Sequence, residues 1–253
     1  MRGLGSEVWR HLVRLYLSDP PAHAYLIYDL IYELDNTDLL VDLGPEGVKG
    51  YLLVWRGRQR PCVHLFGDVS KLLGHLPDPP FMAHVPPDLD PMVRPELEAR
   101  GRVEFMGAFL DMVVDEDSFN PRMLERAVRL GEEHLEAFLD IKRCQGREAG
   151  RGKALRILRR WRYHGIFAEG MLVSIACAYL RLPEVWVVGD VFTRPKFRGR
   201  GYAKSVTSAV TGDAIVSGAV AMLHVREDNE PALKVYRALG YREFGKKLWY
   251  LVD

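Results

Sequence analysis

The 253-residue chain lacks the residue patterns that mark several large classes of protein. Its three cysteines (Cys62, Cys144 and Cys177) lie far apart, so we expect neither a disulfide framework nor a cysteine metal cluster. The longest apolar run, Met171 to Leu180, is only about half of the roughly 20 residues that a membrane-spanning helix needs. Residues 1–15 lack the apolar core of a secretion signal. These absences predict a soluble cytoplasmic protein with no membrane partner.

Charge of neither sign dominates, because 35 basic and 34 acidic residues leave a formal net charge of +1. This balance gives no wide basic footprint, and we expect no nucleic-acid partner. The eight histidines are scattered without a His-Glu-x-x-His pattern, so we expect no catalytic metal. Asparagine and glutamine are scarce, and arginine outnumbers lysine by 26 to 9. Heat adaptation and a GC-rich genome both explain this usage.

Apolar periodicity and turn residues predict an α+β chain with an α/β mixed sheet. The acidic and proline-containing stretch 115–121 suggests two domains, 1–120 and 121–253. Helices are expected at 6–17, 22–34, 69–76, 91–100, 132–143, 151–162, 202–216 and 231–239. Strands are expected at 39–43, 50–55, 61–66, 81–85, 103–114, 127–130, 165–168, 171–180, 185–193, 221–225 and 247–252. The long apolar strand 103–114 could pair at a domain interface or in a homodimer.

The segment 191–203, VFTRPKFRGRGYA, follows a predicted strand and opens a predicted helix. Gly199 and Gly201 would let backbone N–H groups approach a bulky anion that side chains would block. Free N–H groups at the helix start favour a phosphate or pyrophosphate, and Arg198 and Arg200 add positive charge. The spacing matches neither the P-loop nor Gly-x-Gly-x-x-Gly. A tight strand-to-helix turn with solvated arginines is the alternative interpretation.

A second segment, 229–241, reads NEPALKVYRALGY. Asn229 can cap a helix, Pro231 suits its first turn, and Gly240 suits the position just after its end. Asn229 and Tyr236 are seven residues apart, nearly two helical turns, so they should lie on the same face. Alone, Tyr236 would be interpreted as a core tyrosine.

Together the two segments resemble the GCN5-related N-acetyltransferase family (GNAT). Its phosphate-loop pattern, Arg/Gln-x-x-Gly-x-Gly/Ala, is met by Arg198, Gly201 and Ala203. Its second pattern, Asn-x-x-Ala-x-x-x-Tyr-x-x-x-Gly-Phe/Tyr, is met by Asn229, Ala232, Tyr236, Gly240 and Tyr241. More narrowly, the chain looks like the FR47-like branch, which includes glycine N-acyltransferase-type proteins. The resemblance implies the GNAT fold for 121–253 and a degenerate copy, without the cofactor loop, for 1–120.

The resemblance further implies acetyl-CoA as the cofactor. The acceptor would be the amine of a small molecule, an amino acid or a peptide. Tyr236 would be the general acid that faces the leaving sulfur. The implied coenzyme A contacts are Val191, Phe192, Thr193, Arg198, Gly199, Arg200, Gly201, Tyr202, Ala203, Lys204, Asn229 and Tyr236.

The general base is less clear from the sequence. Many family members place a glutamate on the fourth strand, but here that strand is apolar apart from Asp190. Asp190 could hold or deprotonate the amine, or simply bond to backbone near a bulge. A base from the N-terminal half and plain solvent also stay open.

Basic residues are concentrated in the stretch 142–162, which is either a solvated helix face or a site for an anionic acceptor or the adenosine 3′-phosphate. Two alternatives to a small-molecule acetyltransferase stay open. One is a protein N-acetyltransferase, and the other is a non-catalytic acyl-CoA-binding or regulatory module.

Overall fold

The computed structural model describes residues 5–57 and 59–253. Its helices are α1 (Ser6–Ser18), α2 (Ala24–Tyr32), α3 (Asp90–Glu98), α4 (Leu135–Cys144), α5 (Arg151–Arg160), α6 (Tyr202–Val216) and α7 (Glu230–Ala238). Its strands are β1 (Thr37–Gly44), β2 (Gly47–Trp55), β3 (Cys62–Gly67), β4 (Phe81–Val85), β5 (Val103–Val114), β6 (Val128–Arg129), β7 (Arg162–Ala168), β8 (Met171–Arg181), β9 (Val185–Thr193), β10 (Val220–Arg226) and β11 (Arg242–Val252). The prediction that the chain has no secretion signal rests on residues 1–15. Residues 1–4 of that segment lie outside the described residues.

Most predicted elements form, and β5 and α6 have the predicted bounds. The predicted helix 69–76 is wrong, because only a 3₁₀ turn at Leu73–His75 forms there. Leu72, Leu73 and Leu76 are buried, so their spacing resembles a helix face. Gly74 lowers the helix propensity of this short segment and Pro77 ends it, and a single turn is enough to bury the leucines.

Unit 1, the first of two compact units, consists of the described part of Met1–Asp111, together with Arg226–Asp228 and Phe244–Asp253. Its strands follow the order β1-β2-β3-β4-β11-β5, so the last strand of the chain lies within this unit. β11 pairs antiparallel with β4, placing Trp249 opposite His84. The core of unit 1 includes Phe81 from β4 and Val93 from α3.

Unit 2 consists of Met112–Val225 and Asn229–Glu243, with the strand order β10-β9-β8-β7-β6. β7, β8 and β9 are joined as antiparallel hairpins, as predicted, whereas β10 runs parallel to β9 after the crossover through α6. α4 and α5 share a core with β7 and β8. The interpretation of 1–120 as a degenerate copy of the second domain stays a prediction. None of the helices in 5–57 and 59–253 has the length and apolar character to cross a membrane.

Candidate functional site

The predicted site begins in unit 2, where β9 separates from β10. The ladder between these strands ends at Val188 and Leu223, whereas β9 continues to Thr193. On its other side β9 stays paired with β8, with Phe192 opposite Ile175. The segment Val191–Thr193 therefore has one edge that takes no part in the ladder to β10. An extended ligand can add to such an edge like another strand.

The turn after β9 leaves backbone N–H groups free at the start of α6. Gly199 and Gly201 both have left-handed backbones, with φ of 79° and 82°. The first hydrogen bond of the helix runs from the N–H of Ser205 to the Gly201 carbonyl, at 3.1 Å. The N–H groups of residues 202–204 therefore have no acceptor within the helix. No side chain caps the helix at Gly201. These features fit a cradle for an anion.

A side chain at Gly201 would be disfavoured by neighbouring atoms as well as by the backbone conformation. A Cβ atom on Gly201 would come within 2.7 Å of Leu124 Cδ1, whereas one on Gly199 would meet nothing within 4 Å. Any side chain at Gly201 would therefore combine left-handed strain with crowding. Glycine at 201 keeps the helix start open.

Positive side chains surround the cradle. Arg198 and Arg200 are exposed, and Lys204 is half-buried. Arg198 Nε donates to the Thr193 carbonyl at 3.2 Å. Arg200 lies 3.8 Å from Glu169, a distance and exposure at which the ion pair adds little stability. Both guanidinium groups keep donors that can turn toward a phosphate.

Arg194, which the sequence interpretation did not single out, anchors the segment that leads into the cradle. Its Nη2 lies 2.5 Å from Asp140 on α4, and its Nε donates to the Leu172 carbonyl at 2.8 Å. The side chain is only 14% exposed. No local pattern could have named these partners, because both lie more than 20 positions away in sequence.

A segment that comes before β6 is tied to α6 by two buried serines. The N–H groups of Leu124 and Glu125 donate to Ser205 Oγ at 3.1 and 3.3 Å. The Arg122 N–H donates to Ser208 Oγ at 2.9 Å. These bonds hold Leu124 near Gly201 and give the buried hydroxyls partners.

The second motif forms α7 as predicted. Asn229 caps the helix, with its Oδ1 accepting the Ala232 N–H at 3.3 Å. Gly240 follows the helix end with φ of 94°. A Cβ atom there would lie 1.9 Å from the Ser118 carbonyl oxygen, so glycine is needed for space as well as for conformation.

Tyr236 on α7 is 7% exposed. Burial raises the pKa of its phenol to about 12, so the hydroxyl keeps its proton at neutral pH. Among the described residues the hydroxyl has no hydrogen-bond partner. Tyr241, whose ring centroid lies 5.9 Å away, instead shares a 2.7 Å hydrogen bond with Thr211. Tyr236 therefore has a free O–H donor.

Asp190 is surrounded by donors from three parts of unit 2. Its Oδ1 accepts from Lys142 Nζ (3.0 Å), Gln145 Nε2 (2.9 Å) and Arg147 Nη1 (3.0 Å). Its Oδ2 accepts from Lys142 Nζ (2.7 Å) and the Tyr163 hydroxyl (2.5 Å). The side chains of Lys142 and Asp190 are 9% and 8% exposed, so this ion pair is buried. We name these five residues the Asp190 cluster.

Many of the other basic residues of the 142–162 stretch pair with acids of unit 2. Arg151 contacts Glu136, Arg159 contacts Glu132, and Arg162 contacts Asp213. The first two pairs are exposed. This pairing favours the interpretation of the stretch as a solvated helix face.

Comparisons with known proteins agree with this geometry. Residues 163–250 match the family model described as FR47-like protein. A Drosophila protein is similar over 100% of this chain and 98% of its own, with 15% identity and a TM-score of 0.74. A GCN5-related N-acetyltransferase from Kribbella flavida covers 99% and 97%, with 15% identity and a TM-score of 0.65. A tandem GNAT protein from the clavulanic acid biosynthesis pathway covers 97% and 93%, with 15% identity and a TM-score of 0.59.

No curated protein sequence matches the chain. The family model covers the splayed strand, the cradle and α7, and the similar structures share the fold across nearly the whole chain. Residues 163–250 therefore match the FR47-like family model, and the chain has the fold of the GCN5-related N-acetyltransferases.

Proposed function

We propose that the protein is an acetyl-CoA-dependent N-acetyltransferase. Its acceptor would be the amine of a small molecule, an amino acid or a peptide, which attacks directly in a ternary complex. The observation that carries the proposal is the junction of two features within the FR47-like region. An anion cradle at 199–204 follows, after a short 3₁₀ turn at Pro195–Phe197, a strand edge at Val191–Thr193 that is free on its β10 side.

Each part of the coenzyme has a suitable group of residues in unit 2. The N–H groups of residues 202–204, with Arg198 and Arg200, would bind the pyrophosphate. The free edge of Val191–Thr193 would bind the amide groups of the pantetheine arm. Asn229, the N-cap of α7, and Tyr236, nearly two turns further along that helix, would complete the site. When bound, acetyl-CoA supplies the acetyl group as a thioester.

The groups that would promote acetyl transfer are hydrogen-bond donors. A backbone N–H on the free edge of β9 would bind the developing oxyanion, an effect of about 3 kcal/mol for one donor in comparable sites. Tyr236 would donate its free O–H to the leaving sulfur. Burial raises the pKa of the Tyr236 phenol to about 12, so the phenol keeps its proton at neutral pH and would stabilise the leaving thiolate as a hydrogen-bond donor.

One observation favours the non-catalytic acyl-CoA-binding module as a second candidate. Asp190, the acidic residue nearest the free edge in sequence, is fully engaged with other side chains. A protein N-acetyltransferase would differ only in the acceptor. Three expectations from the sequence stay predictions: that there is no catalytic metal, that there is no nucleic-acid partner, and that the chain could form a homodimer.

The first experiment compares melting temperatures with and without saturating acetyl-CoA. Ligand at 100 times its dissociation constant should stabilise the fold by about 2.7 kcal/mol, a rise of roughly 5–10 °C. Gly201→Glu should abolish this rise. Gly218→Glu is the matched control, because Gly218 has the same φ of 82° beyond the other end of α6 and nothing crowds it.

A screen of amines with acetyl-CoA, read as release of free thiol, then tests catalysis. Binding together with amine-dependent thiol release supports the acetyltransferase. Binding without transfer to any amine supports the non-catalytic module. No rise in the melting temperature of the wild type contradicts both proposals.

A further inference from the structure

We propose that Asp190 is a positioning residue that holds the splayed end of β9 in place, and that it is not the base that removes the amine proton. The inference rests on the proposed function, since it assigns a role in the same reaction. The sequence leaves open that Asp190 holds or deprotonates the amine, and the positioning role takes the place of that interpretation.

The backbone at Asp190 is irregular in two ways. The pairing of β8 with β9 sets Ile175 opposite Phe192 and Cys177 opposite Gly189, so one β8 residue faces both Asp190 and Val191. This is the pattern of a β-bulge. Asp190 also has a φ of 52°, a left-handed conformation that is strained for a residue with a Cβ atom. Other interactions must therefore stabilise this conformation.

The Asp190 cluster supplies those interactions. Lys142 is on α4, Gln145 and Arg147 follow α4, and Tyr163 is on β7. One carboxylate thus ties the bulge of β9 to an α-helix, to the connection between α4 and α5, and to a strand. Burial raises the pKa of Tyr163, with neighbouring Cys177 and Asp190 adding to the effect, so its phenol stays protonated as a donor.

The same contacts make Asp190 unsuited to proton abstraction. A carboxylate has about four lone-pair sites, and Asp190 accepts five hydrogen bonds from four side chains. A general base must come within hydrogen-bond reach of the proton that it removes. An acceptor amine could reach Asp190 only by displacing a donor of the cluster.

The bulge sets the direction of the edge that begins at the next residue. Val191–Thr193 follow Asp190 directly, and they are the residues proposed to bind the pantetheine arm. A misplacement of about 1 Å in such a site can lower a rate by about 100-fold. The carboxylate would therefore act on the reaction through the backbone of β9.

Asp190→Asn is the main test variant, because asparagine tolerates a left-handed backbone and keeps the shape of the side chain. Lys142→Met and Tyr163→Phe remove other members of the cluster. Asp213→Asn is the matched control, since Asp213 also forms an ion pair within unit 2, with Arg162. The measurements are affinity for acetyl-CoA and for adenosine 3′,5′-bisphosphate, the pH dependence of kcat/KM, and amide hydrogen exchange at residues 190–193.

For Asp190→Asn we expect acetyl-CoA affinity to fall at least about tenfold while bisphosphate affinity holds, because only the pantetheine edge is misplaced. The acidic limb of the pH profile should persist, and exchange at 191–193 should rise. Lys142→Met and Tyr163→Phe should act in the same direction, and Asp213→Asn should not.

Two results would overturn the proposal. One is loss of the acidic limb, with kcat lower by about 10²–10⁴-fold and acetyl-CoA affinity unchanged, which is the behaviour of a lost base. The other is unchanged affinity with unchanged exchange at 191–193. If the wild type binds no coenzyme, the proposed function fails. Exchange in the ligand-free protein then still shows whether Asp190 holds the bulge.

Discussion

The imidazole Nδ1 of His23 lies 3.1 Å from the hydroxyl oxygen of Tyr51, and both side chains are buried in unit 1. The ring of Phe66 meets the His23 ring edge-to-face at a centroid distance of 4.6 Å. Burial lowers the pKa of His23 to about 4, although nearby Asp19 acts in the opposite direction. The imidazole is therefore neutral at pH 7 in the folded protein.

Acidification should therefore destabilise the protein. Between pH 6.5 and about 4 the unfolded state protonates His23 while the folded state does not, so the free energy of unfolding falls as the pH falls. The full loss from this group is about 3 kcal/mol. His164, whose pKa burial also lowers, should add a loss of the same sign.

Urea unfolding of the wild type and His23→Gln at pH 7.5, 5.5 and 4.5 measures this effect. The stability gap between them should narrow as the pH falls, because only the wild type loses the contribution of a neutral His23. His75→Gln, at an exposed position, should follow the wild type. A gap that stays constant with pH would show that His23 is not responsible.

Tyr236→Phe should lower kcat by about 100-fold and leave the affinity for acetyl-CoA unchanged, because it removes a donor that acts on the leaving sulfur. Steady-state kinetics and calorimetric binding measure the two quantities. Tyr241→Phe is the matched control, since this second buried tyrosine is bonded to Thr211. It should lower the free energy of unfolding by about 1–3 kcal/mol without lowering kcat. Unchanged turnover in Tyr236→Phe would remove the donor role.

Ser205→Ala should release the segment that holds Leu124 against the cradle, because the N–H groups of Leu124 and Glu125 lose their acceptor. Trypsin should then cut faster after Arg122 and Arg126, as mass spectrometry of the fragments would show. Ser217→Ala, which removes only an exposed hydroxyl bonded to its own helix, is the control. Equal cleavage rates in the two variants would mean that other contacts hold the segment.

Local features of the fold and site could be predicted from the sequence. Apolar periodicity and end signals placed α6 and β5 with their observed bounds, and Asn229 caps α7 as predicted. The positive φ of Gly199 and Gly201 fits the predicted cradle. In each case the signal depends on residues within a few positions of one another.

Long-range pairing could not be predicted in the same way. The donors to Asp190 lie 27 to 48 positions away, and a pattern within one element does not specify them. The place of β11 between β4 and β5 depends on the order of strands in space, which local periodicity does not contain. Ser205 and Ser208 gave no signal either, because their buried hydroxyls gain acceptor roles only when residues 122–125 lie beside them.

The position of β11 also constrains how the protein can fold during translation. Unit 1 contains residues from both the start and the end of the chain, and β4 pairs with β11. At about 10 residues per second, the ribosome needs roughly 13 s after Asp111 to reach β11. Until then β11 has not been synthesised, so the edge of β4 with which it will pair stays open. A nascent chain with such an open strand edge is the form in which chaperone binding would matter most.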